Sequence, residues 1–466
     1  MVRSSTGPAS TDPLGRGRQA DACGSGSLGV PWGPTGQRLE LELPRGLADD
    51  DLVFPDLTGE IGDYGTALQA ALAAPLESPP LDSLAGPGSK VALVVDDPSR
   101  WTPVREGLPI VLDRLLAAGV RREDLTISVG VGRHQPVDLP AMRRRVGDEI
   151  AASYPCLSPP VDDLGAYDDL GTTSHGIPVR VFRPVAQADL RVLIGSVLPH
   201  LQAGFGGGYK LIFPGTSHRG TLGALHHQGL SSSAATSGLI GGDAATNPMR
   251  RAIQEAATRL GPCFSISHLL GAPGQILQVR AGRPDAVQDR LAIEARQRFQ
   301  APPAEPADLV VVGNHPWPGD PMQSFKVLLH HRAACCSGGV LIGLFWTDPD
   351  EIDRSFPRAA LRLIAATGAP GGWMIRRLVS LAGRAMSAAG SPSAFMIRWA
   401  RELVVDRTVL VYSPPLHARI GARLGPVRIF AEQGSLWKAA LDSVSRERRH
   451  SPTVRIFPQG GLTYAP

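Results

Sequence analysis

The chain has 466 residues, 43% of them hydrophobic and 19% charged, with a formal net charge of +4. That length suits about two to three globular domains, and so small a charge, without a Lys/Arg block or aromatic–basic interleaving, gives no case for nucleic acid. Five scattered cysteines (Cys23, Cys156, Cys263, Cys335, Cys336) form neither a disulfide framework nor a CxxC metal site, which points to a reducing, cytoplasmic setting, and no apolar run approaches the roughly 20 residues of a membrane span.

Residues 1–35 are rich in Gly, Ser and Pro, lack the apolar stretch of a signal peptide, and are expected to be disordered. KVALVVDD (Lys90–Asp97) is an apolar, β-branched run ending in acids and predicts a buried strand. Leu108, Val111, Leu112, Leu115 and Leu116 recur at helical spacing and Gly119 closes the pattern, so Val104–Gly119 reads as a helix. LTISVGVG (Leu125–Gly132) predicts a strand and Asp138–Ser153 a helix. Ile177–Phe182 and Asp189–Val197 read as strands, and Asn247–Leu260 as a helix with Pro248 at its start. After the Pro-rich break APPAEPA (Ala301–Ala307), DLVVVGN predicts a strand, Pro321–Ala334 a helix, GGVLIGLFW and TVLVYSPP further strands, and TVRIFPQGG (Thr453–Gly461) the last one. Such alternation defines an α/β fold: two α/β domains with mainly parallel sheets.

In open α/β sheets ligands sit at the carboxyl ends of strands. DDPSRWTP, GRHQP and PHLQAGFGGGYK each follow a predicted strand. If those strands share a sheet, Asp97, Arg100, His134, His200 and Lys210 face one crevice. GFGGG, with Gly206, Gly207 and Gly208, could let backbone N–H groups approach an anion; equally it could be a flexible turn. It matches neither GxGxxG after a strand nor a P-loop. Only four of the 47 Lys and Arg residues are lysines: Lys90, Lys210, Lys326 and Lys438. An ammonium can lose its proton and become a nucleophile, which a guanidinium cannot, so a lysine closing the GFGGG loop stands out. His134 and His200 suit acid/base work because imidazole titrates near neutral pH; as loop residues they could also be surface or capping groups. Of the adjacent His226 and His227, one is a better candidate for a metal ligand than both, since neighbouring side chains point differently. His330–His331 and Cys335–Cys336 read as core packing. Asp97 and Arg100 form either a turn or an anion clamp, and Lys326, in QSFK with Gln323, could meet a carboxylate.

Taken together, DDPSRWTP, GRHQP, PHLQAGFGGGYKLIFPG, ALHHQG, NPMRRAIQEAA, GDPMQSFK and VRIFPQGG, in this order over Leu39–Pro466, resemble the lactate racemase family, whose members use a nickel-pincer nucleotide. The resemblance implies an active-site cleft between the two α/β domains. Residues 36–298, completed by 450–466, would form the cofactor-holding domain and 299–449 the second. The implied cofactor is a pyridinium mononucleotide with thioamide and thiocarboxylate arms that hold nickel together with a ring carbon. By that resemblance Lys210 carries the cofactor through the thioamide, a bond arginine could not make. His226 supplies the protein's nickel ligand, an imidazole suiting square-planar nickel. His134 and His200 are the two acid/bases, Asp97 and Gly206–Gly208 lie against the cofactor, and Arg100, Gln323 and Lys326 take the substrate. The implied reaction racemises or epimerises a 2-hydroxy acid through hydride transfer and a 2-keto acid. Proteins that build the cofactor would be partners.

The sequence departs from the family pattern at three points. SRWTP stands for TRPTP, HQP for HRP, and GGGYK for SGGRK, which leaves the exact hydroxy acid open. Trp373, Phe395 and Trp399 are candidates for an aromatic that covers the pocket from the second domain. Two alternatives are a catalytically silent binder of the cofactor and an NAD-dependent dehydrogenase. Both histidines and Lys326 argue against the first, and VVDDPSR in place of GxGxxG against the second.

Overall fold

The computed structural model describes residues 19–20, 26–33, 36–44, 52–132, 134–160, 162–230, 239–317, 319–355, 403–404, 407–445 and 452–466. The first of its two large sheets is built from β1 (Val91–Asp96), β2 (Leu125–Gly130), β3 (Cys156–Leu157), β4 (Leu190–Ser196), β5 (Cys263–Leu270) and β6 (Ile276–Gly282), in the order β6-β5-β4-β1-β2-β3. Every pairing in it is parallel except β5–β6. Side chains alternate across β1 as the pleat demands. Val91, Leu93 and Val95 pack beneath helices α1 (Val104–Ala117) and α2 (Leu139–Val146). Ala92 and Val94 pack toward α3 (Arg219–Leu230) and α4 (Pro248–Ala257).

The second sheet comprises β7 (Ala307–Gly313), β8 (Cys335–Leu344), β9 (Thr408–Tyr412), β10 (Arg423–Leu424), β11 (Val427–Phe430) and β12 (Val454–Phe457), ordered β10-β11-β9-β8-β7-β12. Only the β10–β11 pairing is antiparallel. Helix α5 (Pro284–Phe299) lies against β5 and β6 of the first sheet; in the second, Val310 and Val312 face α6 (Pro321–His330), and Leu309 and Val311 face α7 (Gln433–Ser445). Two α/β units with mainly parallel sheets are thus present, as the alternation predicted.

Several local expectations are corrected. Gly26–Trp32, within the segment expected to lack structure, is a strand paired antiparallel with Gln37–Glu42. Its Leu28 and Val30 are buried with Leu41 against the second sheet, and that burial outweighs a Gly-rich composition. The helix expected over Asp138–Ser153 is two, divided at Gly147 with φ +95°. Residues Pro178–Phe182 form a hairpin with Tyr167–Thr172 outside the main sheet.

The C-terminal segment serves both units. β12 pairs with β7 in the second sheet, whereas Leu462 and Tyr464 pack among Phe205, Leu269 and Phe299 of the first. Three chain crossings lie side by side here: Val53 N–H donates to Ile456 O (2.9 Å), Asp56 N–H to Arg298 O (2.8 Å), and Ala301 N–H to Tyr464 O (2.8 Å). Leu201 of the first unit is buried in the second unit's core. Tyr464→Ala should therefore cost about 3–5 kcal/mol, the usual penalty for deleting a buried aromatic; a urea titration showing less than about 1 kcal/mol would refute this packing role.

Candidate functional site

In the first sheet the chain runs β1 to β2 to β3 on one side, then crosses to β4 on the other. The switch lies between β1 and β4. Loops leaving the two strands there diverge and leave a crevice. Asp97 and Arg100 follow β1, His134 follows β2, and His200 and the GFGGG loop follow β4. The second sheet switches between β7 and β12; the loop after β7 carries Trp317, and Gln323 and Lys326 sit on α6. One crevice is lined by Asp97, Arg100, His134, His200, Gly206, Gly207, Lys210, His226, Trp317, Gln323 and Lys326. The structure brings together every predicted site residue except Gly208, which is buried behind the wall.

Two buried arginines shape the loops. Arg145 of α2 pairs with the Asp96 carboxylate and donates to the carbonyls of Asp96 (3.0 Å), Arg100 (3.0 Å) and Thr102 (3.1 Å). Thr102 Oγ1 donates to Asp96 Oδ2 at 2.6 Å. Burial raises the Asp96 pKa, while Arg145 and Thr102 oppose the rise. Arg250 of α4 does the same for the glycine loop, donating to Phe205 O and, at 3.4 Å, to Gly207 O. Gly207 has φ +77°, and a Cβ there would lie 2.8 Å from Val197 Cγ2, so the turn requires glycine. The Gly206 N–H is spent on Leu198 O at 2.8 Å. The loop thus turns carbonyls to Arg250, and the expected cradle of N–H groups lacks that member.

The crevice is electrostatically uneven. Burial opposes a charge on Asp97, but His134 (Nδ1–Oδ1 3.6 Å), Arg100 and the Ser99 N–H hold its carboxyl well below the usual range. Burial lowers the Lys210 ammonium to about 7, helped by Arg100, Arg250 and Lys326 and opposed by Asp97. His200 is pushed well below an ordinary histidine, by burial first and then by Lys210, His226, Lys326 and Arg100. The Arg100 guanidinium lies over the Trp317 ring, 4.6 Å from its centroid, and Trp101 meets the same ring edge-on at 4.6 Å. Lys326 Nζ donates to Gln323 Oε1 at 3.1 Å.

His226 lines the crevice and His227 is exposed, as expected of neighbours on a helix. His331 is bonded to Val327 O and Thr463 Oγ1 within the core. Among the described residues no three His, Cys, Asp or Glu side chains converge as a metal site, so a metal beside His226 would draw its other donors from a bound cofactor. Lys210, whose ammonium burial brings down to about 7, and His226, one imidazole on the same wall, fit such a cofactor.

Arg145, Arg250, Gln202 and Trp317 escaped the sequence reading. Arg145 left a signal: it sits on the apolar face with Met142 and Val146, where a surface arginine does not belong. Trp317 gave none, since only the fold brings its loop to the first domain. The proposed covering aromatics Trp373, Phe395 and Trp399 lie outside the described residues.

Two α/β units whose switch points face one crevice, lined by two histidines, a lysine of lowered pKa and an arginine, are what these features define. Residues 49–238 match the family model described as Lactate racemase N-terminal domain. The lactate racemase of Thermoanaerobacterium thermosaccharolyticum is 25% identical over 325 residues, covering 68% of this chain and 73% of that protein. The lactate racemase of Lactiplantibacillus plantarum is 24% identical over 303 residues, with 63% and 70% covered. The lactate racemase apoprotein structure from T. thermosaccharolyticum superimposes with TM-score 0.72 at 19% identity, covering 94% of this chain and 100% of that one. A Thermotoga maritima protein gives TM-score 0.62 at 14% identity, covering 86% and 98%. Residues 49–238 thus match a lactate racemase N-terminal domain, and the chain is similar to two lactate racemases over about two thirds of its length.

Two outcomes follow. Arg145→Met strands the buried Asp96 carboxylate and should destabilise the protein by about 3–5 kcal/mol in denaturant titration. Acylation of Lys210 by an activated ester, followed by peptide mapping, should accelerate as pH rises to about 7 and level off above it, because the neutral amine is the nucleophile; a rate still climbing steeply at pH 9 would contradict the depressed lysine.

Proposed function

We propose that the chain is a racemase or epimerase of a 2-hydroxy acid that works with a nickel-pincer nucleotide tethered to Lys210. The observation that carries this reading is the convergence of Lys210, His226, His134, His200, Arg100 and Lys326 on one crevice. In this proposal the first α/β unit, with the loops after β1, β2 and β4, holds the cofactor, and the second, through Trp317, Gln323 and Lys326, completes the substrate side of the crevice. The names of the two relatives, both lactate racemases, support a short hydroxy acid as substrate.

A Cα–H beside a carboxylate is a poor acid, so direct deprotonation is a costly route to racemisation. The tethered group, when bound, would supply both the acceptor for the Cα hydride and the source of its return. The chain's own residues do the rest. Arg100, steadied on Trp317, and Lys326, steadied by Gln323, hold the substrate carboxylate. His134, with Nδ1 toward Asp97, offers Nε2 to the substrate hydroxyl and takes its proton. The 2-keto acid then turns while its carboxylate stays clamped, and His200, charged for this step against the pull of its buried surroundings, meets the oxygen on the opposite side as an imidazolium proton donor. Lys210 gives up its amine to the cofactor linkage, and its depressed pKa suits that bond-forming role.

Co-expression with cofactor-building proteins should add mass to the Lys210 peptide and load nickel in proportion to chain. Lys210→Arg should abolish both, with far-UV circular dichroism unchanged. A mass adduct that persists in Lys210→Arg would overturn the assignment. His134→Asn and His200→Asn should each lower kcat by about 100-fold or more, the usual share of an acid/base group, with nickel content retained.

A further inference from the structure

Gln202 lies between two of the crevice histidines and is fully buried. Its backbone carbonyl accepts from Asn247 Nδ2 at 2.9 Å, which fixes the residue to the start of α4. Its side-chain amide has one orientation available. Nε2 donates to the His226 carbonyl at 3.3 Å, which turns Oε1 toward His226 Nδ1 at 2.5 Å. An amide oxygen only accepts. The His226 proton must therefore sit on Nδ1, and Nε2 is left as the ring's acceptor or metal-binding nitrogen.

The same residue acts in the opposite sense on His200. The backbone N–H groups of Gln202 and Ala203 donate to His200 Nδ1 at 3.2 and 3.1 Å. Two donors aimed at one ring nitrogen require a lone pair there, so the neutral ring carries its proton on Nε2. We propose that Gln202 is a positioning residue that sets the two rings to opposite tautomers: its side chain makes His226 a ligand through Nε2, and its backbone, with that of Ala203, makes His200 a donor through Nε2. A metal-bound imidazole has its orientation and basicity set by whatever its other nitrogen bonds, and here a neutral amide does so in place of a carboxylate. The consequence for nickel rests on the reading of His226 given above; the tautomer assignment rests on hydrogen bonds alone.

The test uses protein labelled with nitrogen-15 histidine. Long-range proton–nitrogen correlation spectra distinguish a protonated ring nitrogen from a bare one, with His226→Asn and His200→Asn spectra supplying the assignments. In the wild-type protein without cofactor, His226 should show a protonated Nδ1 and His200 a protonated Nε2. Gln202→Leu should release the His226 pattern and leave His200 as it is, because the backbone donors remain; Gln202→Glu, which keeps an acceptor oxygen, should restore it. In holoprotein, Gln202→Leu should weaken nickel retention against a chelator by about 10–100-fold, and Gln202→Glu should recover most of it. A wild-type His226 protonated on Nε2, a wild-type His200 protonated on Nδ1, or undiminished nickel retention in Gln202→Leu would each overturn the proposal. The wild-type spectrum decides the tautomers even if Gln202→Leu fails to fold. Holoprotein that carries nickel equally well in His226→Asn would instead defeat the ligand reading and leave the tautomers standing.

Discussion

Backbone carbonyls that are bent into a crevice and buried need donors, and two guanidinium groups supply them. Arg145 gathers the carbonyls of Asp96, Arg100 and Thr102, and Arg250 those of Phe205 and Gly207. Without such donors the loops after β1 and β4 would leave polar groups unpaired in a water-poor interior, at a cost of about 1–3 kcal/mol each. With them, both loops leave their strands at a fixed angle. Asp97, Arg100, His200 and Lys210 all take their places from those angles.

That arrangement also creates the electrostatic setting. Arg250 supports the glycine loop from behind and repels a charge on Lys210 in front, as Arg100 and Lys326 do from the sides. Asp97 opposes them, while the carboxylate of Asp96 is occupied by Arg145. The result is a lysine that sheds its proton near neutrality and a histidine, His200, that resists taking one. Structural cations and crevice side chains here belong to one electrostatic system, and a change to the Arg250 clamp reaches the Lys210 nitrogen.

Much of this was legible in the residues. β1, β2, β4, β7 and β9 are mostly apolar because both faces of a parallel sheet are buried, and such stretches need no partner to be read. The residues after them stood out because strand ends are where chemistry collects. Less visible were features decided by distant contacts. Gly26–Trp32 is a strand because Val30 finds the second sheet's core, which no local pattern announces. Trp317 reaches Arg100 only after two domains fold, and Gln202, between a histidine and a glycine loop, looks like any turn residue. Arg145 was hidden by company: in MRRRV it is one arginine of three, and only its helical phase sets it apart.

The belt of three crossings near Val53, Ala301 and Tyr464 bears on how the molecule comes apart. Its segments are hydrogen-bonded to one another as well as to each sheet, and β12 and Tyr464, a few residues apart, are built into different cores. Loss of the second sheet would strip Tyr464 of its anchor, and loss of the first would bare the inner edge of the belt. The two cores are therefore linked through the belt, so that opening either one uncovers apolar surface that the other helps to bury.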